Sequence, residues 1–397
     1  MENDGMENNP SSRNVLRKDN SSLDYGKDSG INLHGVLHVY SGNSVASYAE
    51  NSERQRHVFH ALQSLFQAAI EKLRFPQEGP LRIADLGCAT GINTVSDVDF
   101  VVKTLRNLWR DGHSNGGGSV AEFQAYFSDL PSNDFNGLFN LLDRPASPYF
   151  VAGVPGSFYN VLFPTSSIHV CFSVMALHWL SQVPQAIVQK TSPLYNKGRV
   201  WINRGSQDIA EAYSKQSESD LNAFINCRAQ EMAPGGVIFL CMMGRPDSWL
   251  PTEQVSVGGE FCGQDFEDAW DELVTQGIIS SDLRDSFNLP WYFPTAKELR
   301  RAVENCGVFE IESMQVFEQV PSMPEEEFEE YIRDPKMFGL MKSNLVKSFV
   351  GSLIEAHIGK KCTDQFFQAF AEKAAALLHC SPPSRLVTCT VSSLIRK

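Results

Sequence analysis

Ten residues in the first quarter of the chain carry the sharpest chemical signal: Arg82-Ile83-Ala84-Asp85-Leu86-Gly87-Cys88-Ala89-Thr90-Gly91. The apolar run reads as a strand, and the glycines as a turn that opens a helix. Ligands of open α/β sheets bind outside the carboxyl ends of the strands. At such an edge Gly87 and Gly91 would let backbone approach a ligand where a side chain could not fit. A dinucleotide turn wants G-x-G-x-x-G, with pyrophosphate on the helix N-terminus. This turn is G-x-x-x-G and carries the carboxylate of Asp85 just before its first glycine. A carboxylate there opposes pyrophosphate and suits a cation. S-adenosylmethionine (SAM), with a sulfonium, an ammonium and no phosphate, is favoured over NAD on that charge argument. A second acid, Asp129 in Phe127-Ser128-Asp129-Leu130-Pro131, follows the next strand. It could accept from both ribose hydroxyls, or cap a helix beginning near Asn133.

These residues need elements to hold them. Apolar residues at Val58, Leu62, Leu65, Phe66, Ala69 and Leu73 have helical spacing and predict a helix from about Glu50 to Arg74, ending before Pro76. A strand is expected over Leu81–Leu86 and a helix from about Asn93 to Trp109, followed by a glycine-rich loop over Asp111–Ser119. Strand-like runs recur at Glu122–Phe127, Ile168–Phe172 and Val237–Met242, with a helix over Ile209–Met232 before the last. Alternation of this kind implies a mostly parallel sheet with helices on both faces.

The second half reads differently. Glu253–Asp285 and Glu325–Leu378 are helical in pattern; between them lie a helix, Thr295–Cys306, and a strand, Phe309–Phe317. In Arg385–Ile395, Val387, Cys389 and Val391 alternate with Thr388, Thr390 and Ser392, the pattern of a half-buried strand. The expected organisation is a polar, disordered tail over 1–32 and a ligand-binding α/β domain over 33–250 completed by 291–320 and 384–397. Helical blocks 251–290 and 321–383 are expected to cap the ligand edge.

Composition narrows the function classes. The chain has 397 residues, 42% hydrophobic and 20% charged, enough for one large α/β domain with an added lobe or for two domains. A net charge of −13 with no basic cluster disfavours nucleic acid. Nine scattered cysteines, none in C-x-x-C spacing, read as buried free thiols of a reducing compartment. No HExxH or Cys/His pairing suggests zinc. No apolar run approaches the roughly 18 residues of a membrane span, and the polar N-terminus lacks a signal peptide's apolar stretch. The expected location is the cytosol.

Further segments make the sequence resemble the plant SABATH methyltransferases, which methylate carboxylates of salicylate, jasmonate and related compounds and, in some members, purine nitrogens. The resemblance runs from about Val36 to the C-terminus. It includes Ser47-Tyr48-Ala49-Glu50-Asn51-Ser52, Ala84–Gly91 with Asn93, Asp129–Asn136, Gly153–Tyr159, Leu177–Pro184, Arg228-Ala229-Gln230-Glu231 with Pro234-Gly235-Gly236, and Phe287-Asn288-Leu289-Pro290. It implies a Rossmann-like class I SAM-dependent methyltransferase sheet with a helical cap, acting on a small acid, and a homodimer. Tyr48, Ser52, Asp85, Gly87, Asn93, Asp129, Leu130, Ser157 and Phe158 would surround SAM. Gln55 and Trp179 would hold the acceptor carboxylate, with Tyr48 and His178 nearby. Some relatives carry magnesium; the matching ligands here would be Asn196, Asp285, the carbonyl of Phe287, and Asn288, an oxygen set suited to a hard cation.

The implied chemistry is in-line displacement at a sulfonium methyl. A carboxylic acid of pKa near 4 is already ionised at pH 7, so no general base is required and the site has only to desolvate and aim the oxygen. Gln55 and Trp179 offer neutral N–H donors, which locate an anion without the grip of an arginine fork. Read without the resemblance, Trp179 and His178 could be core packing, Tyr48 structural, Gln55 solvent-exposed and the Phe158-Tyr159 pair packed under the sheet edge. Trp291-Tyr292-Phe293 reads as core. Ser173-Val174-Met175-Ala176 departs from the familiar members, and Gly263, with Phe266 and Trp270 nearby, stands where salicylate-type enzymes pack an aromatic over the ligand. The pocket is therefore expected to be shaped for another acid than salicylate. The function expected is SAM-dependent carboxyl O-methylation of a small aromatic or isoprenoid acid. Alternatives are N- or S-methylation of a small molecule, a nicotinamide-dependent oxidoreductase, and a non-catalytic SAM-binding protein.

Overall fold

The computed structural model describes residues 33–42, 45–76, 78–112, 122–142, 147–202, 206–254, 257, 261–380 and 383–397. The expected tail over 1–32 and most of the expected loop over 111–119 lie outside the described residues. Seven strands form one sheet in the order β3-β2-β1-β4-β5-β7-β6. They are β1 (Leu81–Leu86), β2 (Phe123–Asp129), β3 (Phe150–Pro155), β4 (Ile168–Val174), β5 (Met232–Met243), β6 (Phe309–Pro321) and β7 (Leu386–Arg396). Neighbours among β1–β5 run parallel, whereas β7 is antiparallel to both β5 and β6. Strand order reverses between β1 and β4, so the crevice above their carboxyl ends is where such a sheet binds ligands.

Side-chain alternation sends the two faces of the sheet into two cores. In β5, Val237, Phe239 and Cys241 join one core with α3 (Glu53–Ile70) and α4 (Ile92–Gly112). Ile238, Leu240 and Met242 join the other, with α7 (Gln207–Glu231) and α10 (Ala296–Cys306). The helix expected over Glu50–Arg74 is broken at Ser52 into α2 (Tyr48–Asn51) and α3. In α10 the N-terminus is fixed by a capping box between Thr295 and Glu298 and the end by Gly307 at φ 70°.

Two expectations need correction. β3 has no counterpart among the expected strands: it is an edge strand with three residues exposed and three half-buried, so Phe-Val-Ala-Gly-Val-Pro shows no buried face. β7 is not half-buried. It lies between β5 and β6, and Thr390, Ser392 and Ser393 are buried along with Val387, Cys389 and Val391.

A third core joins α8 (Gln264–Thr275), α12 (Pro335–Ile358) and α13 (Lys360–Leu377) to Trp201, Trp291 and Phe293. Between α8 and α10 lies α9 (Ser281–Asp285); before α12 lies α11 (Glu325–Tyr331). Three short helices, α1 (Leu33–Val36), α5 (Phe135–Leu142) and α6 (Gln185–Val188), complete the labelled set. All nine cysteines are free; five are buried as expected, three are intermediate, and Cys380 is exposed. No helix among the described residues is long and apolar enough to cross a membrane.

Candidate active site

Above the tips of β1, β2 and β4 lies a cavity of about 170 Å³, where a single water needs roughly 10–15 Å³ in the same measure. A smaller cavity of about 30 Å³ adjoins it, the two sharing Tyr48, Gln55 and Gly87. The backbone at the strand tips is unusual: Gly87 has φ 83°, and Ala89 and Met175 have φ 52° and 57°. All three line the larger cavity. Non-glycine residues in this region each cost about 1–3 kcal/mol and persist where surrounding structure holds them. Here the Ala89 N–H donates to Asp129 Oδ2 at 2.7 Å, and the Met175 N–H donates to the carbonyl of Cys241 at 2.7 Å.

Asp129 lines the larger cavity with both carboxylate oxygens held, Oδ1 by the Leu130 N–H at 2.7 Å and Oδ2 by Ala89. Burial pushes its pKa up and those two bonds pull it down. The helix-capping alternative falls, since α5 begins at Phe135 and the side chain bonded to its first turn is Asp134, which accepts from the Gly137 N–H. Leu130, Ser157 and Phe158 line the same cavity. The loop carrying the last two is anchored from α7. Arg228 Nη1 donates to the Phe158 carbonyl at 2.8 Å and Nη2 to that of Asn160 at 3.0 Å. Glu231, paired with Arg228 at 2.7 Å, accepts from the N–H groups of Leu162 and Phe163. The Arg228…Glu231 spacing is thus a buried clamp on the loop that delivers Ser157 and Phe158.

Asp85, Asn93 and Gly87 line the smaller cavity. The Thr94 hydroxyl donates to Asp85, whose pKa is nevertheless pushed up to about 7, chiefly by burial and further by Asp129. Ser52 is buried beside Gly91, and its carbonyl accepts from Asn93 Nδ2 at 2.8 Å. Tyr48 lines both cavities, and burial together with Asp129 pushes its phenol pKa up, so the hydroxyl stays protonated.

The other wall is neutral. Gln55 faces the cavity, not bulk solvent, and its Oε1 is buried without a hydrogen-bond partner. Trp179 lines the cavity too, its carbonyl fixed by the Tyr159 hydroxyl at 2.6 Å. His178 also lines it; burial drives its pKa down to about 3, so its imidazole is neutral. Trp291, expected as core, is buried but reaches the cavity. Its ring meets that of Trp179 edge-on at 5.0 Å, and its indole N–H has no partner. Tyr292 and Phe293 are core as expected.

Other lining residues carried no sequence signal: Leu33, Leu37 and His38 before α2, Ser322 after β6, and Phe261 with Phe349 in the cap. Met175 and Ala176 line the cavity. Phe266 and Trp270 do not; they pack against Phe366 inside the cap core, and the cap's aromatics at the cavity are Phe261 and Phe349.

The four residues matching a magnesium position are brought together, all buried, in the third core. Their polar atoms are turned to protein partners. Asn196 Nδ2 donates to Asn288 Oδ1 at 2.7 Å, and Asp285 Oδ1 accepts from Arg284 and from the Gly198 N–H. Asn288 Nδ2 is left without a partner. An oxygen set exists, but its one carboxylate is already offset by a guanidinium, so the arrangement does not itself call for a divalent ion.

Comparison with known proteins shows the family. The sequence model of the family described as SAM dependent carboxyl methyltransferase matches residues 34–397. Gibberellic acid methyltransferase 2 of Arabidopsis thaliana is 37% identical over 353 residues, 86% of this chain and 90% of its own length. Indole-3-acetate O-methyltransferase 1 of Arabidopsis thaliana is 36% identical over 87% of this chain and 92% of its own. Among solved structures, loganic acid methyltransferase with SAH superposes with a TM-score of 0.79 at 30% identity, covering 90% of this chain and 98% of that one.

Proposed function

Because the chain belongs to the family of SAM-dependent carboxyl methyltransferases, we propose that it esterifies a small aromatic or isoprenoid carboxylic acid at the wall formed by Gln55, Trp179 and Trp291. The observation that carries this reading is a buried donor, the indole N–H of Trp291, left without a partner in a cavity that Gln55 and Trp179 also line and whose opposite edge bears buried carboxylates. Buried polar atoms are normally satisfied, so an unpaired donor at the wall of a cavity is suited to an acceptor oxygen on the ligand that fills it. The relatives named for gibberellic acid and indole-3-acetate support an acid of that size and apolarity.

When bound, SAM supplies an electrophilic methyl on a sulfonium. This chain's residues bind and aim. Asp129, fixed by two backbone N–H groups, presents its carboxylate to ribose hydroxyls, and Phe158 offers an aromatic ring beside them. Asp85 complements positive charge at the amino-acid end, where Tyr48, Ser52 and Asn93 gather. Gln55, Trp179 and Trp291 donate neutral N–H groups to the acid's carboxylate. Apolar groups, among them Leu37, Met175, Phe261 and Phe349, exclude water from its anionic oxygen. The acid arrives ionised, so the chemistry asks for no base, and His178, held neutral, adds no competing charge. Correct aim of a desolvated oxygen can supply several kcal/mol of the barrier.

We place the enzyme in the cytosol as a homodimer, on the support of its free thiols and the family resemblance. Magnesium, if held, belongs to Asn196, Asp285, the Phe287 carbonyl and Asn288 as structural support, and no step of the reaction runs through it.

Acidity sets a testable limit on donor binding. A cation needs Asp85 ionised. With its pKa near 7, ionisation rises about tenfold between pH 6 and pH 8. SAM affinity is therefore expected to tighten by about tenfold over that interval in calorimetric titrations; equal affinity at both pH values would remove Asp85 from charge recognition. The acceptor class is tested by incubating the protein with methyl-labelled SAM and a panel of acids, amines and thiols. Alkali-labile label on an acid is the expected product. Label only on nitrogen or sulfur would overturn carboxyl methylation.

A further inference from the structure

Asp97 lies one helical turn beyond Asn93 on α4, and its side chain enters the smaller cavity beside Asp85. Both carboxylates are buried. Neither is in an ion pair with a described residue, and Asp97 accepts no hydrogen bond from one. The other charged or titratable side chains facing this cavity are Tyr48, Cys88 and Arg56, and Arg56 is engaged by Glu53. Burial and the charge of Asp85 both push the Asp97 carboxyl pKa well up. Two buried acids side by side with no paired cation form a costly arrangement, and it is relieved by a ligand that brings positive charge. The cavity opens along Tyr48, Gln55 and Gly87 onto the donor cleft, so what extends into it is the amino-acid end of the donor.

We propose that Asp97 is a second carboxylate of the methyl donor's site, receiving the donor's α-ammonium group together with Asp85. An ammonium has three N–H donors; two carboxylates from different elements, the tip of β1 and the second turn of α4, can take two of them and fix its direction. Asp85 reads the ammonium from the strand side and Asp97 from the helix side. The sequence gives no hint of this, because Asp97 resembles any acidic residue of an amphipathic helix. The inference rests on the placement of SAM at the β1 edge, and the test separates the two.

Calorimetric binding is measured for S-adenosylhomocysteine and for 5′-methylthioadenosine, which keeps the nucleoside and sulfur but lacks the amino-acid end. In Asp97→Asn, affinity for S-adenosylhomocysteine is expected to fall about 10- to 100-fold, the scale of a lost charge-assisted hydrogen bond, with 5′-methylthioadenosine unchanged. Asp97→Ser is the second variant, and undiminished 5′-methylthioadenosine binding reports that each variant is folded. Equal losses for both ligands, or none for S-adenosylhomocysteine, would overturn the role of Asp97. A wild-type protein that binds neither ligand would overturn the donor's placement and the role of Asp97 with it.

Discussion

Trp179→Phe is expected to lower kcat/KM for the acid by about 100-fold while leaving SAM affinity unchanged, since misplacement of a reacting oxygen by about 1 Å can cost that much. Phenylalanine keeps most of the ring packing against Trp291 and deletes the indole N–H. The Trp179 backbone stays fixed by the Tyr159 hydroxyl, so the change is confined to the donor. Gln55 and Trp291 still face the cavity and would hold the acid, but in a less determined pose. In the transition state the carboxylate loses charge to the methyl, so the donor's value lies in aiming the oxygen more than in binding it tightly. Steady-state kinetics with the acid varied at saturating SAM, beside a calorimetric SAM titration, separate these effects. Full activity in the variant would remove Trp179 from the site.

Gly87→Ala acts on the donor side and should be at least as damaging. A Cβ at this position would lie 2.4 Å from the Cβ of Ala176, which is bound directly to backbone and cannot swing away. The residue also sits at φ 83°, where L-side chains are disfavoured by about 1–2 kcal/mol. Together the strain and the forced shift of the β1 or β4 tip are expected to cost about 2–4 kcal/mol of stability. Because Gly87 borders both cavities, SAM affinity should fall with stability. The double variant Gly87→Ala/Ala176→Gly should recover the steric part and keep the dihedral part, a partition read from denaturant midpoints of the three proteins. Wild-type stability in the single variant would contradict the tight approach of these two strand tips.

Elements with strong local patterns were legible in the sequence. β1 runs over Leu81–Leu86 as the apolar run before the glycine turn implies, and α10 starts where Thr295 and Glu298 form their capping box. β3 leaves no such pattern, because an edge strand with no fully buried residue has little burial to imprint on its sequence. In β7 the alternation of Thr and Ser with apolar residues implies a half-buried strand. Only the antiparallel partners on both sides reveal that those hydroxyl side chains are buried as well.

The site divides the same way. Asp85, Gly87 and Asp129 follow from the strand-tip position and charge alone. Gln55 and Trp179 could be named only through the family resemblance, because a polar helix residue and a tryptophan after an apolar strand have ordinary alternatives. Trp291 looked like core and is buried, and its role is visible only as an indole N–H without a partner beside Trp179. The cavity draws on residues as far apart as Leu33 and Val387. Such a wall is set by tertiary packing, so no window of sequence contains it.

The central claim is that a donor at the β1 and β2 tips faces an acid held by neutral N–H groups. A crystal structure with S-adenosylhomocysteine and the preferred acid tests it most directly. The ribose hydroxyls should lie on Asp129, the amino-acid end beside Asp85, and the acid's carboxylate within hydrogen-bond distance of Gln55 and an indole N–H. An acid bound with its carboxylate turned away from that wall, or a nucleoside seated elsewhere than the β1 edge, would contradict it.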